Sequence, residues 1–174
     1  MIFKEMEYTK DRAINPVLLA EGRHLGYHWV ILSFGTHPCA YVQITNEEHP
    51  YYLKQYDNEK VNIKVHGGLT YSRRYLKIPD EDGKIAQYNS GWWLGWDYAH
   101  GGDYMGYYDN DERFKDEKRW TTNAILEDVY SVIYQLATAI DWSDIFDRWS
   151  KPGDYEKDKA KGIIKIENNK NDSP

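Results

Sequence analysis

Residues 27–44 read Tyr27-His28-Trp29-Val30-Ile31-Leu32-Ser33-Phe34-Gly35-Thr36-His37-Pro38-Cys39-Ala40-Tyr41-Val42-Gln43-Ile44. The runs 29–32 and 41–44 are dense in β-branched and aromatic residues, and Gly35-Thr36-His37-Pro38 between them carries turn chemistry. The segment therefore predicts two strands joined by a tight connection. Working outward, Gly91-Trp92-Trp93-Leu94-Gly95-Trp96-Asp97-Tyr98 is a further aromatic strand. Val61, Ile63 and Val65 alternate with Asn62, Lys64 and His66, which predicts a strand with one buried face and His66 at its polar end. Pro79-Asp80-Glu81-Asp82-Gly83 is a turn. The apolar stretch 17–20 stops at Gly22, and 45–60 reads as loop with at most one helical turn.

Helical periodicity is confined to the second half. Thr121 or Thr122 sits where an N-cap belongs, and Ile125, Val129, Val132, Ile133, Leu136 and Ile140 follow at spacings of three, four and seven. Glu127 and Asp128 fall near the helix start, where carboxylates complement the dipole. A second short helix is expected over 141–149 and a late edge strand over 162–166. The fold expectation is α+β: an antiparallel, aromatic-rich sheet of about four to six strands with one long amphipathic helix, near 122–140, packed on a face. Residues 1–150 form that single domain, and 151–174, in which Lys and carboxylates nearly balance, form a charged, flexible C-terminal tail.

Composition narrows the function classes. The 174 residues carry a formal charge of −6, which disfavours general nucleic-acid binding. No apolar run approaches membrane-spanning length, and the charged opening residues do not read as a signal peptide, so a cytoplasmic protein is expected. A single cysteine, Cys39, excludes an internal disulfide and reads as a buried structural thiol. Aromatic residues make up 16 %, with 16 Tyr and 7 Trp against 4 Phe, so many rings with polar tips must serve in the core as well as at a surface. P-loop, dinucleotide-binding and nucleophile-elbow motifs are missing, which removes those enzyme classes.

One echo carries chemistry: His66-Gly67-Gly68 and His100-Gly101-Gly102 repeat the same tripeptide at two expected strand ends. Glycine pairs let a backbone approach a ligand closely, and the adjacent imidazole can move a proton or bind a metal. Asp97 and Asp103 stand three residues either side of His100, so His66, Asp97, His100 and Asp103 form a candidate acid–base or ligand set. The spacing matches no HExxH or paired CxxC pattern, so no metal and no cofactor is assigned. Tyr71, Trp92, Trp93, Trp96, Tyr98 and Tyr104 would add stacking surface, which makes His66, Gly67, Gly68, Tyr71, Trp93, Trp96, His100, Gly101, Gly102 and Asp103 the expected binding surface. The blander reading has the histidines tying down tight turns while Asp97 and Asp103 cap backbone N–H groups. Arg73-Arg74 either pairs with an anion or is a solvated strand end, and His49-Pro50 is a weaker candidate for the same site.

The segments Val65-His66-Gly67-Gly68-Leu69-Thr70-Tyr71-Ser72 and Trp92-Trp93-Leu94-Gly95-Trp96-Asp97-Tyr98-Ala99-His100-Gly101-Gly102-Asp103 resemble a family of small uncharacterised proteins encoded by bacterial phages and mobile elements. The resemblance extends over roughly 10–140 and includes the stretch 35–42; Gly101-Gly102 departs mildly from the family pattern of a small residue followed by glycine. It implies no reaction. It does imply an accessory protein that inhibits a host defence complex, such as a CRISPR–Cas effector, by direct binding. Asp80, Glu81, Asp82, Asp109, Asp111 and Glu112 would flank the two loops on that binding surface and steer it to a basic partner. Capture of this kind needs no catalysis, so a binding protein is favoured over an enzyme; the alternative is a small enzyme or nucleotide-sequestering protein built on His66, Asp97, His100 and Asp103.

Overall fold

In the computed structural model, residues 2–139 are described. Seven strands and one α-helix follow in the order β1 (Val17–His24), β2 (Tyr27–Ser33), β3 (Pro38–Ile44), β4 (Tyr71–Arg73), β5 (Leu76–Pro79), β6 (Ile85–Tyr88), β7 (Trp92–Asp97) and α1 (Thr122–Ala137). Five strands make an antiparallel sheet in the order β1-β2-β3-β7-β4, and β5-β6 form a separate hairpin. The α+β expectation holds: a five-stranded antiparallel sheet carries the helix on one face.

The sheet is covered on both sides, which explains why every residue of β3 is buried. One face sends Trp29, Ile31, Val42, Leu94 and Trp96 against Ile125, Val129, Val132, Ile133 and Leu136 of α1. Each fully buried aliphatic or aromatic side chain there contributes roughly 1.5–3 kcal/mol. The other face sends Val30, Leu32, Cys39, Tyr41 and Trp93 against Leu76 and Ile78 of the β5-β6 hairpin. Leu18 joins the hairpin-side cluster, and a register shift between Leu18 and Ala20 lets the consecutive Leu19 and Ala20 both join the helix-side one. The strand runs on through Gly22, beyond the expected stop, because Gly22 faces the Trp29 indole: a Cβ there would lie 2.8 Å from Trp29 Cζ2.

The stretch 61–65 departs from expectation. Val61, Ile63 and Val65 do pack on the helix-side core, as their alternation requires, yet no strand forms. Gln135 of α1 takes the place of a neighbouring strand: its Oε1 accepts from Lys64 N at 2.8 Å and its Nε2 donates to Lys64 O at 2.8 Å. Residues 45–60 form turns without a helical segment.

Thr121 is the N-cap of α1, its hydroxyl accepting from Ala124 N at 3.2 Å. Glu127 and Asp128 lie beyond the first helical turn, which contains no carboxylate of its own. Glu5, from the N-terminal segment, supplies one instead, accepting from Thr122 N at 3.0 Å. The expected helix over 141–149, strand over 162–166 and C-terminal tail lie outside the described residues, as does the last part of the 122–140 helix expectation, residue 140. Among the described residues no helix is long and apolar enough to cross a membrane.

Candidate functional site

The chain leaves β7 at Asp97 and turns back through His100-Gly101-Gly102-Asp103, with Asp103 N donating to His100 O at 2.9 Å. The first His-Gly-Gly loop, closed by Gly68 N donating to Val65 O at 2.9 Å, meets this turn in space. The contact demands glycine: Gly67 has φ +68°, and a Cβ on it would lie 2.2 Å from His100 Cδ2 and Nε2.

Asp103 joins three segments. Its side chain is 2 % exposed. Oδ2 accepts from His66 Nε2 and from His100 N, both at 2.9 Å, and Oδ1 accepts from Trp120 Nε1 at 2.8 Å. Burial alone would raise this carboxyl's pKa, but the donors from His66, His100 and Trp120 outweigh it and hold the group below the ordinary carboxylate value. Asp103 is therefore ionised and accepts only, so His66 carries its proton on Nε2. Among the described residues His66 Nδ1 has no hydrogen-bond partner, and it is not buried.

Aromatic rings fix the His66 plane. The imidazole stacks on Tyr98 at 5.2 Å and 6°, and Trp120 lies 4.7 Å away on a tilt. Tyr98 is anchored from beneath, accepting from Trp96 Nε1 at 2.9 Å and donating to Asp128 Oδ2 at 2.6 Å. Burial and the Asp128 bond push the Tyr98 phenol far above its usual range, so it stays a donor. Trp120 is held by Tyr8, whose hydroxyl accepts from Trp120 N and donates to Trp120 O. Lys118 Nζ lies 3.8 Å over the Trp120 ring.

The other candidates divide. His100 stands 5.8 Å from His66 between ring centroids. Its Nε2 is 3.1 Å from Asp97 Oδ1, yet the alignment is too poor for a hydrogen bond, so this is a charge contact that operates only when His100 is protonated. Asp97 otherwise accepts from Ala99 N and from the Thr70 hydroxyl and does not reach His66. Both carboxylates thus cap backbone N–H groups. Among the described residues no group of three or more His, Cys, Asp or Glu is arranged to hold a metal ion.

Of the six aromatics expected at the surface, Trp92, Trp93, Trp96, Tyr98 and Tyr104 need correction, since all five are buried. Trp93 and Trp96 are 0 % and 1 % exposed, in the cores of opposite sheet faces, because strand alternation inside a doubly covered sheet leaves neither side free. Tyr71 is half-buried with Trp93 on the hairpin side, edge-on to Tyr41. Gly67, Gly101 and Gly102 are exposed, and Gly68 is partly so. His49 is not part of the site: its Nδ1 accepts from Tyr51 N and its Nε2 donates to Leu136 O, and burial lowers its pKa. The acidic residues also separate. Asp109 lines a hollow of ≈ 400 Å³ with Tyr8, Tyr104, Arg119 and Trp120, beside the loops. Asp80 lines another with Glu21 of β1, at the sheet edge opposite β4, so the 80–82 turn does not adjoin them.

Trp120 is the residue the sequence reading left out, since its only signal is its place directly before the Thr121 cap. No family model, curated protein or solved structure matches the chain.

Proposed function

We propose that this chain is a phage or mobile-element accessory protein that inhibits a host defence complex, of the CRISPR–Cas effector kind, by direct binding, and that the two His-Gly-Gly loops form the centre of its contact. The observation that supports this reading is the Asp103 junction. It ties 65–68, 100–103 and Trp120 together, so two imidazoles and three exposed glycines stand in one rigid group. A surface ordered before binding loses little conformational entropy when a partner docks. The charge of −6 steers approach to a basic partner, and Asp109, which shares a hollow with Trp120, extends the contact from that side. Such an inhibitor acts in the host cytoplasm and needs no turnover.

The test is a titration of the purified protein against candidate effector complexes at low and at high salt. Stoichiometric capture that weakens with salt, and that Gly101→Trp weakens further, is the expected outcome; absence of any complex at low salt refutes the reading. A second reading rests on a specific observation: His66 has Nε2 fixed by a buried carboxylate and Nδ1 open, which is how a general base is oriented. It predicts a retained small molecule or turnover. Native mass spectrometry with elemental analysis separates the two, because a stoichiometric metabolite favours the second reading and a clean apo species favours the first.

A further inference from the structure

The hairpin-side face of the sheet carries a polar row that the apolar cluster beside it does not explain. Strand register aligns Arg23 with His28, and Gln43 with Trp93. His28 and Gln43 fall one step past the Trp29–Val42 pair, so the four side chains cross four strands in one line. Val30, Tyr41 and Leu32 fill the same face further along. Burying polar groups in such a place is unfavourable unless each finds a partner.

Some partners are present. His28, with a side chain 11 % exposed, bonds Glu21 Oε1 through Nε2 at 2.7 Å. Gln43 is 5 % exposed and donates from Nε2 to Ser90 O at 2.8 Å. Other groups are left over. Arg23 is exposed and has no carboxylate partner among the described residues. Trp93 Nε1 is buried without an acceptor, the kind of orphaned donor that water or a ligand normally satisfies. Glu21 Oε2 and Gln43 Oε1 accept no bond from the described residues. Glu21, Arg23 and Gln43, with Gly22, His28, Tyr88 and Ser90, wall a hollow of ≈ 410 Å³; Trp93, the last of the row, does not line it. Its size is that of small-molecule sites, roughly 300–1,000 Å³.

We propose that this hollow is a binding site for a nucleoside monophosphate whose base carries an exocyclic amine. Arg23 presents a forked cation for the phosphate. Glu21 Oε2 and Gln43 Oε1 accept from the amine, and the Tyr88 ring, 38 % exposed, provides a face for the base. Each element needs the others, since a bare phosphate would meet the Glu21 carboxylate and a bare nucleoside would leave Arg23 unpaired. The site lies at the β1-β2-β3 side of the sheet and is separate from the His-Gly-Gly loops, so it stands or falls independently of the function proposed above.

Calorimetric titration of the full chain with adenosine 5′-monophosphate, adenosine and ribose 5-phosphate tests it. The expected result is that the monophosphate binds at least about tenfold more tightly than either fragment, and that Arg23→Gln weakens it by about ten- to a hundredfold while leaving adenosine unaffected. Arg23 is exposed, so this variant folds, and unchanged thermal unfolding verifies it. No monophosphate binding at millimolar concentration, or equal binding by Arg23→Gln, overturns the proposal.

Discussion

Asp103→Asn is the sharpest probe of the junction between the two loops. The aspartate accepts three bonds, from His66 Nε2, His100 N and Trp120 Nε1. Asparagine has one acceptor oxygen. If that oxygen stays with Trp120, the amide N–H group faces His100 N–H, donor against donor, and His66 must change tautomer to keep any bond. At least one charge-assisted bond is lost and the others fall to neutral strength, which amounts to about 2–4 kcal/mol. For a domain of this size that lowers Tm by roughly 5–15 °C. Urea unfolding followed by tryptophan fluorescence at pH 7 measures the loss directly. The pH dependence adds a second check. Asp103's pKa is lower in the folded than in the unfolded state, so its stabilisation is complete above the unfolded value and disappears as pH falls through the folded one. The gap between wild type and Asp103→Asn therefore narrows below about pH 4. A loss under ~0.5 kcal/mol, which is the scatter of ordinary surface substitutions, or a gap independent of pH, refutes the assignment of Asp103 as the junction.

Gly67→Ala places a methyl group on the His100 ring at a residue with φ +68°, and a destabilisation of about 1–2 kcal/mol is expected, with the His100 imidazole resonances shifted in NMR spectra. Gln135→Ala leaves Lys64 N and O unbonded, so the Lys64 amide should exchange with solvent at least about tenfold faster while global stability falls by about 1 kcal/mol. Burial pushes the Cys39 thiol up to about 12, so the native protein should resist a thiol reagent at pH 8 and react at the rate of unfolding; rapid native labelling would contradict that burial.

The limits of sequence reading are visible in single residues. Strand alternation placed Val61, Ile63 and Val65 on a buried face correctly, since side-chain burial is written in period two. Their backbone partners were not legible, because a glutamine 71 positions away supplies both bonds for Lys64. The aromatic strand β7 was legible as a strand, but the stacking chemistry of Trp93 and Trp96 put them on a binding surface, which is not where they lie. Only the presence of a hairpin on one face and a helix on the other decides that both are buried. His28 carried no signal at all in the sequence, and acquires its neighbours from the register of β1, β2 and β3.

The sequence by itself determined the strand pair within 27–44, the aromatic strand near 92–97, the Thr121-capped helix and the two His-Gly-Gly turns, because periodicity, capping and glycine conformations act over a few residues. Tertiary structure alone decided that those turns meet, that Asp103 and Trp120 close the contact, and that Asp97 is turned from His66. Those contacts join segments 17 to 37 positions apart. A buried carboxylate selects its donors by distance and alignment in the folded chain, and local sequence encodes neither.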